Sequence, residues 1–368
     1  MKIEKSFSGQ RLPCAPRHLL AIVAVLVAVT GSCAMSASYY QATEIGLGGV
    51  WGEGAAINAS GQVTGTSELA NGKSDAFLYS NGVTKDLGYV GSLHDSFGFG
   101  INASGQVTGA TGELAYIYSN GAMTTLPSLG IETVGQAINA SGEVAGWSIL
   151  PNYEDHAFLY DGSMKDLGTL GGTLSRAEGI NDSGEVTGYS YDSNNHWHAF
   201  LYVNGVMHDL GTLGGSVSEG RAINALGQIT GAAAISNGDQ HVSLYSNGTM
   251  YDLGVDGLGE GINNRGDIVG IASIASGKIA PFVYTGGVIS DLNSMLIPGS
   301  NIRLTDAAGI NDNGQIVATG YDALGHQSAF LLNPVAPLPS SVSAGMALFG
   351  VLGVSRLRRR WVKSSRRI

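Results

Sequence analysis

Short segments of alternating apolar and polar residues, separated by glycine-containing turns, follow one another from about residue 40 to about residue 335. In one representative stretch, residues 180–189 hold two such segments around the turn Asp182-Ser183-Gly184. A second pair, residues 198–202 and 206–210, flanks Asn204-Gly205. Asn-Gly between alternating segments is a strong hairpin signal, because type I′ turns need positive φ at both central positions. The pattern predicts two hairpins, and so four strands, in about forty residues.

This unit is repeated along the chain. Each copy contains an Ile-Asn pair, then a turn with glycine, then a β-branched segment. The pairs begin at residues 57, 101, 138, 180, 223, 262 and 310, so successive copies are 37 to 48 residues apart. A period near forty residues with four strands per copy is typical of a β-propeller blade.

The two ends of the repeat region complement each other. After residues 328–332 the last copy continues with Asn333-Pro334 and has no fourth strand, whereas residues 42–49 match the fourth-strand region 207–215. A chain that begins with an unpaired fourth strand and ends without one can close a ring. We therefore predict an all-β fold, a seven-bladed β-propeller over residues 38–335, in which residues 40–47 pair with residues 329–332.

The Ile-Asn segment is expected to be the innermost strand, because the residue before each isoleucine is Ala or Gly, as crowding near the axis requires. Each asparagine is expected to bond the backbone of its own turn. Asn58, Asn102, Asn139 and Asn181 also stand in Asn-x-Ser sequences, which this interpretation attributes to turn chemistry rather than to glycosylation.

The first 37 residues have the pattern of a signal peptide. Lys2, Lys5, Arg11 and Arg17 precede an eleven-residue apolar run, residues 19–29. This run is short for a membrane span, and small residues follow it, so cleavage is expected within residues 34–37; an uncleaved anchor is the alternative. Both cysteines of the chain lie in this leader, so the repeat region has no disulfide to stabilise it.

Residues 156–158 and 198–200 are both His-Ala-Phe, followed by Leu-Tyr, a turn with glycine, and Asp-Leu-Gly-Thr-Leu-Gly-Gly. This arrangement resembles the bacterial HAF repeat, an extracellular repeat named for that tripeptide. The resemblance covers about residues 42–332 and is looser at Asp75-Ala-Phe77, Ala280-Pro-Phe282 and Ser328-Ala-Phe330, so the histidine is not required in every copy.

Residues 336–368 are similar to a PEP-CTERM sorting signal, with a proline motif, a short apolar stretch and an arginine cluster. The residues concerned are Pro337, Leu338, Pro339, Arg356, Arg358, Arg359 and Arg360. Leu338 stands where the motif has glutamate. The resemblance implies a short C-terminal transmembrane helix inserted transiently, an exosortase-type protease as partner, and the envelope or outer surface of a Gram-negative bacterium as location. A retained membrane anchor is the alternative.

The charge of the repeat region argues against some partners. It holds eight of the 19 basic residues and 28 of the 29 acidic residues. A field this negative repels nucleic acid and anionic lipid. We expect no nucleic-acid partner.

Catalytic motifs, metal-ligand spacings and phosphate-binding loops are not found in the sequence, so no enzyme, no cofactor and no metal are expected. Residues that do not repeat are the candidates for binding, and they fall in loops expected on one face of the ring. Aromatic rings and carboxylates together suit a carbohydrate. These candidate ligand-binding residues are Tyr153, Glu154, His156, Arg176, Glu178, Tyr191, Trp197, Glu219 and Arg221.

Three functions are compatible with this pattern. The first is a non-enzymatic exported surface or matrix protein associated with exopolysaccharide. The second is a lectin-like propeller with a defined saccharide ligand. The third is a polysaccharide hydrolase or lyase that uses paired carboxylates such as Glu178 and Glu219.

Overall fold

The computed structural model describes residues 39–91, 95–274 and 277–335, and these form an all-β propeller. The leader and the sorting signal inferred from the sequence lie outside the described residues. No helix within the described residues is long and apolar enough to cross a membrane.

Five four-stranded antiparallel sheets and one seven-stranded sheet make up the fold. The strands of the first three repeats, with the strand that precedes them, are β1 Tyr39–Ile45, β2 Gly52–Ile57, β3 Val63–Glu68, β4 Ser74–Ser80, β5 Val83–Asp86, β6 Ser96–Ile101, β7 Val107–Thr111, β8 Leu114–Ser119, β9 Ala122–Thr125, β10 Glu132–Ile138, β11 Val144–Ile149, β12 Asp155–Tyr160 and β13 Met164–Asp166. The remaining elements are β14 Gly171–Ile180, β15 Val186–Asp192, β16 Trp197–Val203, β17 Val206–Asp209, β18 Gly214–Ile223, β19 Ile229–Ile235, β20 Gln240–Ser246, β21 Thr249–Ile262, β22 Ile268–Ile274, β23 Lys278–Thr285, β24 Val288–Asp291, the 3-10 helix η1 Leu292–Met295, β25 Arg303–Ile310, β26 Ile316–Tyr321 and β27 Gln327–Val335.

The seven-stranded sheet contains two repeats because β21 is shared. Residues Thr249 to Asp252 of β21 pair with β20, and Gly257 to Ile262 pair with β22. In the last sheet the order is β1-β27-β26-β25. The expected pairing of the N-terminal strand is confirmed: Ala42 lies opposite Leu332, Ile45 opposite Ala329, and Tyr39 opposite Val335.

Successive strands of each repeat are antiparallel, so the connections fall on two faces. Turns after first and third strands lie on one face, which we call the turn face. Loops after second strands and the crossings to the next repeat lie on the other, which we call the loop face. The candidate loops therefore share one face, as the sequence predicted.

The seven anchor asparagines form a closed cycle of hydrogen bonds on the turn side. In each, Nδ2 donates to the backbone carbonyl of the next: Asn58 to Asn102 (3.0 Å), Asn102 to Asn139 (2.9 Å), Asn139 to Asn181 (3.2 Å), Asn181 to Asn224 (3.2 Å), Asn224 to Asn263 (2.9 Å), Asn263 to Asn311 (3.2 Å) and Asn311 to Asn58 (3.0 Å). We call this cycle the asparagine belt.

Each belt asparagine also organises its own turn, as expected. In the first repeat, Oδ1 of Asn58 accepts from the backbone N–H of Ser60 and of Gln62, both at 3.0 Å. The belt side chains are buried, which satisfies the rule that buried polar groups find partners. Their recurrence therefore has a structural cause.

The core lies between neighbouring sheets. The phenylalanine of the His-Ala-Phe motif is fully buried at 158 and 200, and its counterparts Phe77, Phe282 and Phe330 are buried as well. Phe200 packs with residues of the preceding repeat, among them Ala145. The motif thus supplies the packing between neighbouring repeats.

Candidate functional site

A cavity of about 260 Å³ lies on the axis, on the loop side of the seven anchor isoleucines. A second cavity, of about 220 Å³, lies on their turn side. Each of these isoleucines ends a first strand beside the belt, and five of them also line the turn-side cavity. The seven isoleucines are Ile57, Ile101, Ile138, Ile180, Ile223, Ile262 and Ile310, and all of them line the loop-side cavity. This loop-side cavity, which we call the central cavity, therefore has an apolar floor.

The wall of the central cavity is formed by the residue two positions before each isoleucine. These seven positions are structurally equivalent, yet they differ in chemistry: Ala55, Phe99, Gln136, Glu178, Arg221, Glu260 and Ala308. Four consecutive repeats thus supply a polar wall, and the other three supply an apolar one. Because the blade does not require this difference, the wall is the best candidate for a binding site.

Hydrogen bonds and ion pairs connect the polar wall. Nε2 of Gln136 donates to Oε2 of Glu178 at 2.9 Å. The guanidinium of Arg221 lies 3.9 Å from Oε2 of Glu178 and 3.1 Å from Oε2 of Glu219. Nε of Arg221 is buried and has no hydrogen-bond partner among the described residues. The wall therefore holds a buried donor whose hydrogen-bonding capacity is not met by the described residues.

Electrostatics in the wall favour protonated carboxyl groups. Burial raises the pKa of Glu260 to about 7; the Arg221 charge opposes this, while Asp306, Glu219 and Glu178 add to it. Burial also raises the pKa of Glu178, against the effects of Arg221 and Gln136. A buried carboxyl group that keeps its proton near neutral pH can donate a hydrogen bond or a proton to a ligand.

Phe99 gives the apolar wall an aromatic surface. Its ring lies 6.3 Å from that of Phe97, centroid to centroid, with only 6° between the planes. Both residues are on β6, the first strand of the second repeat. An aromatic ring near carboxylates, an amide and a guanidinium matches the surface of a sugar, which has apolar C–H faces and hydroxyl edges.

The structure brings together some of the candidates from the sequence. Glu178, Glu219 and Arg221 belong to one ion-pair group. Arg176 is engaged elsewhere: it pairs with Asp155 and lies over the Trp147 ring, 4.1 Å from the centroid. Arg176 is not among the residues that line the central cavity.

The aromatic candidates lie further out on the loop face. Tyr191 and Trp197 are register partners on β15 and β16, and their rings meet edge to face at 6.1 Å. Tyr153 is 82% exposed in the preceding repeat, in the turn between β11 and β12. Beside it, Glu154 accepts from Nδ2 of Asn152 at 2.7 Å. These residues are a rim rather than part of the central cavity.

His156 pairs with an aspartate of its own repeat and is not among the residues that line the central cavity. Its Nδ1 lies 2.9 Å from Asp166 on the neighbouring strand, whose Oδ1 also accepts from the backbone N–H of Gly168. The same pairing joins His198 to Asp209 and His241 to Asp252, each at 2.8 Å. The histidine of the motif thus pairs with the aspartate of Asp-Leu-Gly.

In the first repeat, Asp75 occupies the position of this histidine and faces Asp86. Asp75 is buried, and its Oδ1 has no hydrogen-bond partner among the described residues. Burial and the carboxylates of Asp86 and Asp95 raise the pKa of Asp75 to about 6. This repeat therefore replaces an attractive pair with a repulsive one.

Sequence reasoning missed Phe99 and Gln136. Both stand two residues before an Ile-Asn pair, on the position that also carries Glu178 and Arg221. Comparing the seven copies at this one position would have found them.

No family model matches the sequence, and no curated protein matches it. Solved structures do resemble the fold. The β-propeller domain of the Trilobed protease from Pyrococcus furiosus is 8% identical, with a TM-score of 0.51, covering 79% of this chain and 97% of that one. A puromycin-hydrolysing peptidase from Mycobacterium tuberculosis is 10% identical, with a TM-score of 0.51 over 82% of this chain and 57% of its own. At these identities the likeness shows the propeller fold alone.

The expectation that the chain is not an enzyme is contradicted, because the similar Mycobacterium tuberculosis propeller belongs to a peptidase, although the fold alone shows no activity. A Pyrococcus horikoshii acylaminoacyl peptidase is also similar, at 10% identity and a TM-score of 0.46, covering 82% of this chain and 52% of that one. The lack of a familiar motif in this chain therefore does not exclude catalysis, and the propeller fold does not show it. This chain spans only about half the length of the two full peptidases.

Proposed function

We propose that this protein is an exported propeller that binds a saccharide in its central cavity. The observation that carries the proposal is the difference among seven equivalent wall positions. Phe99 supplies a stacking surface, and Gln136, Glu178, Arg221 and Glu260 supply donors and acceptors for hydroxyl groups. A cavity of about 260 Å³ suits one or two sugar units better than a long chain, so a longer glycan would enter by its end.

The proposal includes a ring of seven blades. Three observations support this count: β21 serves two repeats, β1 completes the last sheet, and the asparagine belt has seven members. Ring closure matters for function because the cavity wall needs a residue from every repeat.

Export and sorting complete the proposal. The leader resembles a signal peptide, and residues 336–368 resemble a sorting signal for an exosortase-type protease. On this proposal the ring reaches the outer surface or matrix of a Gram-negative bacterium, where exopolysaccharide is the available saccharide.

The experiment is a glycan array with residues 38–335, followed by titration of the best saccharide against wall variants. Phe99→Ala removes the stacking surface and should weaken binding roughly tenfold or more, since about 1.4 kcal/mol is a factor of ten. Arg221→Ala should weaken it comparably. Glu113→Gln, an exposed loop-face change, is the matched control.

A second comparison separates the cavity from the rim. If Trp197→Ala or Tyr191→Ala abolishes binding while Phe99→Ala leaves it unchanged, the saccharide sits on the outer aromatic pair and the cavity proposal fails. Unchanged affinity in all of these variants would place the ligand on the turn face.

A second candidate function is cleavage of a polysaccharide by hydrolysis or elimination. Its support is Glu260, whose pKa burial raises to about 7, in the same cavity wall as Glu178, since glycosidic cleavage commonly uses one protonated and one ionised carboxyl group. Turnover of a polysaccharide that is lost in Glu260→Gln would establish it. Binding without turnover would leave the saccharide-binding proposal alone.

A further inference from the structure

The crossing into the sixth repeat is four residues shorter than those into the fourth and fifth repeats. Between Asp-Leu-Gly and the residue five positions before the anchor isoleucine, the crossings into the fourth and fifth repeats have six residues, 169–174 and 212–217. The sixth has only Val255 and Asp256 before Gly257. The missing residues correspond to the Thr-Leu-Gly-Gly part of the crossing, which we call the ribbon.

In the first, second, fourth and fifth repeats the ribbon lies against the second strand of the sheet that it enters. Leu47 N donates to Ser67 Oγ at 3.0 Å, Val90 N to Thr111 Oγ1 at 3.0 Å, and Leu170 N to Ser190 Oγ at 2.9 Å. Leu170 and Leu213 form β-bridges with Asp192 and Ile235. The ribbon is thus an added strand segment at the loop-face end of the second strand.

The ribbon needs glycine because its backbone approaches the sheet closely. A Cβ at Gly172 would lie 2.6 Å from Cβ of Tyr191, and one at Gly215 would lie 2.6 Å from Cβ of Ala234. A Cβ at Gly49 would lie 2.3 Å from the carbonyl oxygen of Glu68. Distances below 3.0 Å exclude any side chain at this position without a shift of the backbone.

In the sixth repeat the corresponding place is a groove of about 560 Å³. The β21–β22 ladder ends at Gly257 opposite Ala272, so Ser273 and Ile274 pair with β23 on one side and with no residue of β21 on the other. Ser273 and Ile274 match Tyr191 and Asp192, the positions that contact a ribbon in the fourth repeat. The groove therefore presents a strand edge where other repeats place their own chain.

The lining of the groove is apolar with an acidic edge. Ala232, Leu258 and Ile279 supply apolar walls, and Ile279 is 74% exposed. The two charged lining residues are acids: Glu219, which pairs with Arg221, and Asp256, whose side chain lies 3.1 Å from Nε2 of His241 and is still 59% exposed. An occupant with a positive charge next to its apolar residue fits this lining best.

We propose that this groove binds an extended peptide segment of a partner protein, with a basic residue two positions before the sequence Leu-Gly-Gly. The leucine would fill the apolar part, the glycines would allow the close approach, and main-chain hydrogen bonds to the edge at Ser273 would add a strand to the sheet. The basic residue would pair with Asp256.

The test uses a synthetic peptide, acetyl-Lys-Thr-Leu-Gly-Gly-Ser-Val-amide, labelled with a fluorophore and titrated with residues 38–335. We expect saturable binding that weakens roughly tenfold or more when the peptide leucine is replaced by aspartate or its second glycine by valine. No binding of the parent peptide, or equal binding of all three, would overturn the proposal.

A protein variant provides the second arm. Insertion of Thr-Leu-Gly-Gly between Val255 and Asp256 restores a ribbon, which should occupy the groove and abolish peptide binding. The control is insertion of Thr-Asp-Gly-Gly at the same place, and this variant should retain most of the peptide binding. If the restored-ribbon variant is folded, as judged by circular dichroism, and still binds the peptide normally, the groove is not the site.

A charge exchange decides the matter if the insertion disturbs folding. Asp256→Lys should weaken binding of the lysine peptide and strengthen binding of a peptide in which glutamate replaces that lysine. Glu113→Lys should leave the affinity for both peptides unchanged. Elution of the unmodified ring as a dimer, disrupted by the insertion, would instead assign the groove to a second copy. Saccharide binding in the central cavity should survive every groove variant, so the two proposals can fail separately.

Discussion

Nδ2 of Asn311 donates to the carbonyl oxygen of Asn58 at 3.0 Å and joins the last repeat to the first across 253 positions of sequence. The other six bonds of the asparagine belt join neighbouring repeats. The bond between Asn311 and Asn58 is therefore the member of the belt that depends on ring closure.

Asn311→Ala should destabilise the ring by about 2–4 kcal/mol, because it leaves the buried Asn58 carbonyl and the N–H groups of Asn313 and Gln315 without their partner. Urea unfolding measures this change. Asn152→Ala, in an exposed turn, is the control. Equal stability of Asn311→Ala and the unmodified ring would mean that the belt is not a source of stability.

Ile45→Ala should cost about 2–5 kcal/mol, the range for a fully buried isoleucine, because Ile45 is 2% exposed where β1 pairs with β27. Tyr39→Ala, on the same strand but 37% exposed, should cost much less. Thermal unfolding followed by circular dichroism compares the two. A cost for Ile45→Ala no larger than that for Tyr39→Ala would show that β1 does not hold the ring closed.

Asp75 should make stability depend on pH. Its pKa is about 6 in the folded protein and near 3.8 when unfolded, so the folded state holds the extra proton between these values. Stability due to this group is therefore lost as pH rises from about 4 to about 6.

Asp75→His should remove this loss, because it restores the pair seen between His156 and Asp166. We expect a gain of about 1–3 kcal/mol at pH 7. The melting temperature at pH 4 and at pH 7, compared between the unmodified ring and the variant, measures it. Asp239→His, at an exposed turn, is the control; an equal pH dependence in the unmodified ring and in Asp75→His would contradict the assignment.

Glu260 should act in the same direction at higher pH. Its pKa is raised to about 7, so its ionisation destabilises the folded state as pH rises from about 4.5 to above 7. Glu260→Gln should therefore have little effect at pH 5 and stabilise the ring by about 1–3 kcal/mol at pH 8. Denaturant titration at both pH values measures this difference. A variant less stable than the unmodified ring at pH 8 would show that the ionised carboxylate is well paired.

Processing of the two ends is a further prediction. In a Gram-negative host with an exosortase, the mature protein should lack both residues 1–34 and the arginine cluster Arg356, Arg358, Arg359 and Arg360, as intact mass would show. A mature species that retains these arginines would mean that Leu338 prevents processing and that the segment is an anchor.

The repeat architecture could be predicted from sequence because it rests on local chemistry. Asn-Gly turns, the alternation of short segments and the complementary ends each follow from a few neighbouring residues. The last copy lacks a fourth strand, and residues 40–47 have the sequence of one. That observation was enough to predict that the two pair.

The chemistry of the site depended on contacts between distant residues. The pairing of His156 was not predicted from the sequence, because its partner, Asp166, lies on a different strand and the contact depends on register. Arg176 stands two residues before Glu178, yet one pairs outward with Asp155 and the other faces the cavity. A bulge in the first strand, between Ala177 and Gly179, changes which side chains face the axis, and strict alternation cannot anticipate it.

The pairing of Tyr39 with Val335 has a consequence for how the ring is held. Both residues lie at the turn-face end of their strands, so a tether at either end of the ring attaches to that face. The mouth of the central cavity opens on the opposite face. If the ring is attached to a cell at that face, the mouth of its cavity points away from the cell. A solute can then enter the cavity from the medium without passing the point of attachment.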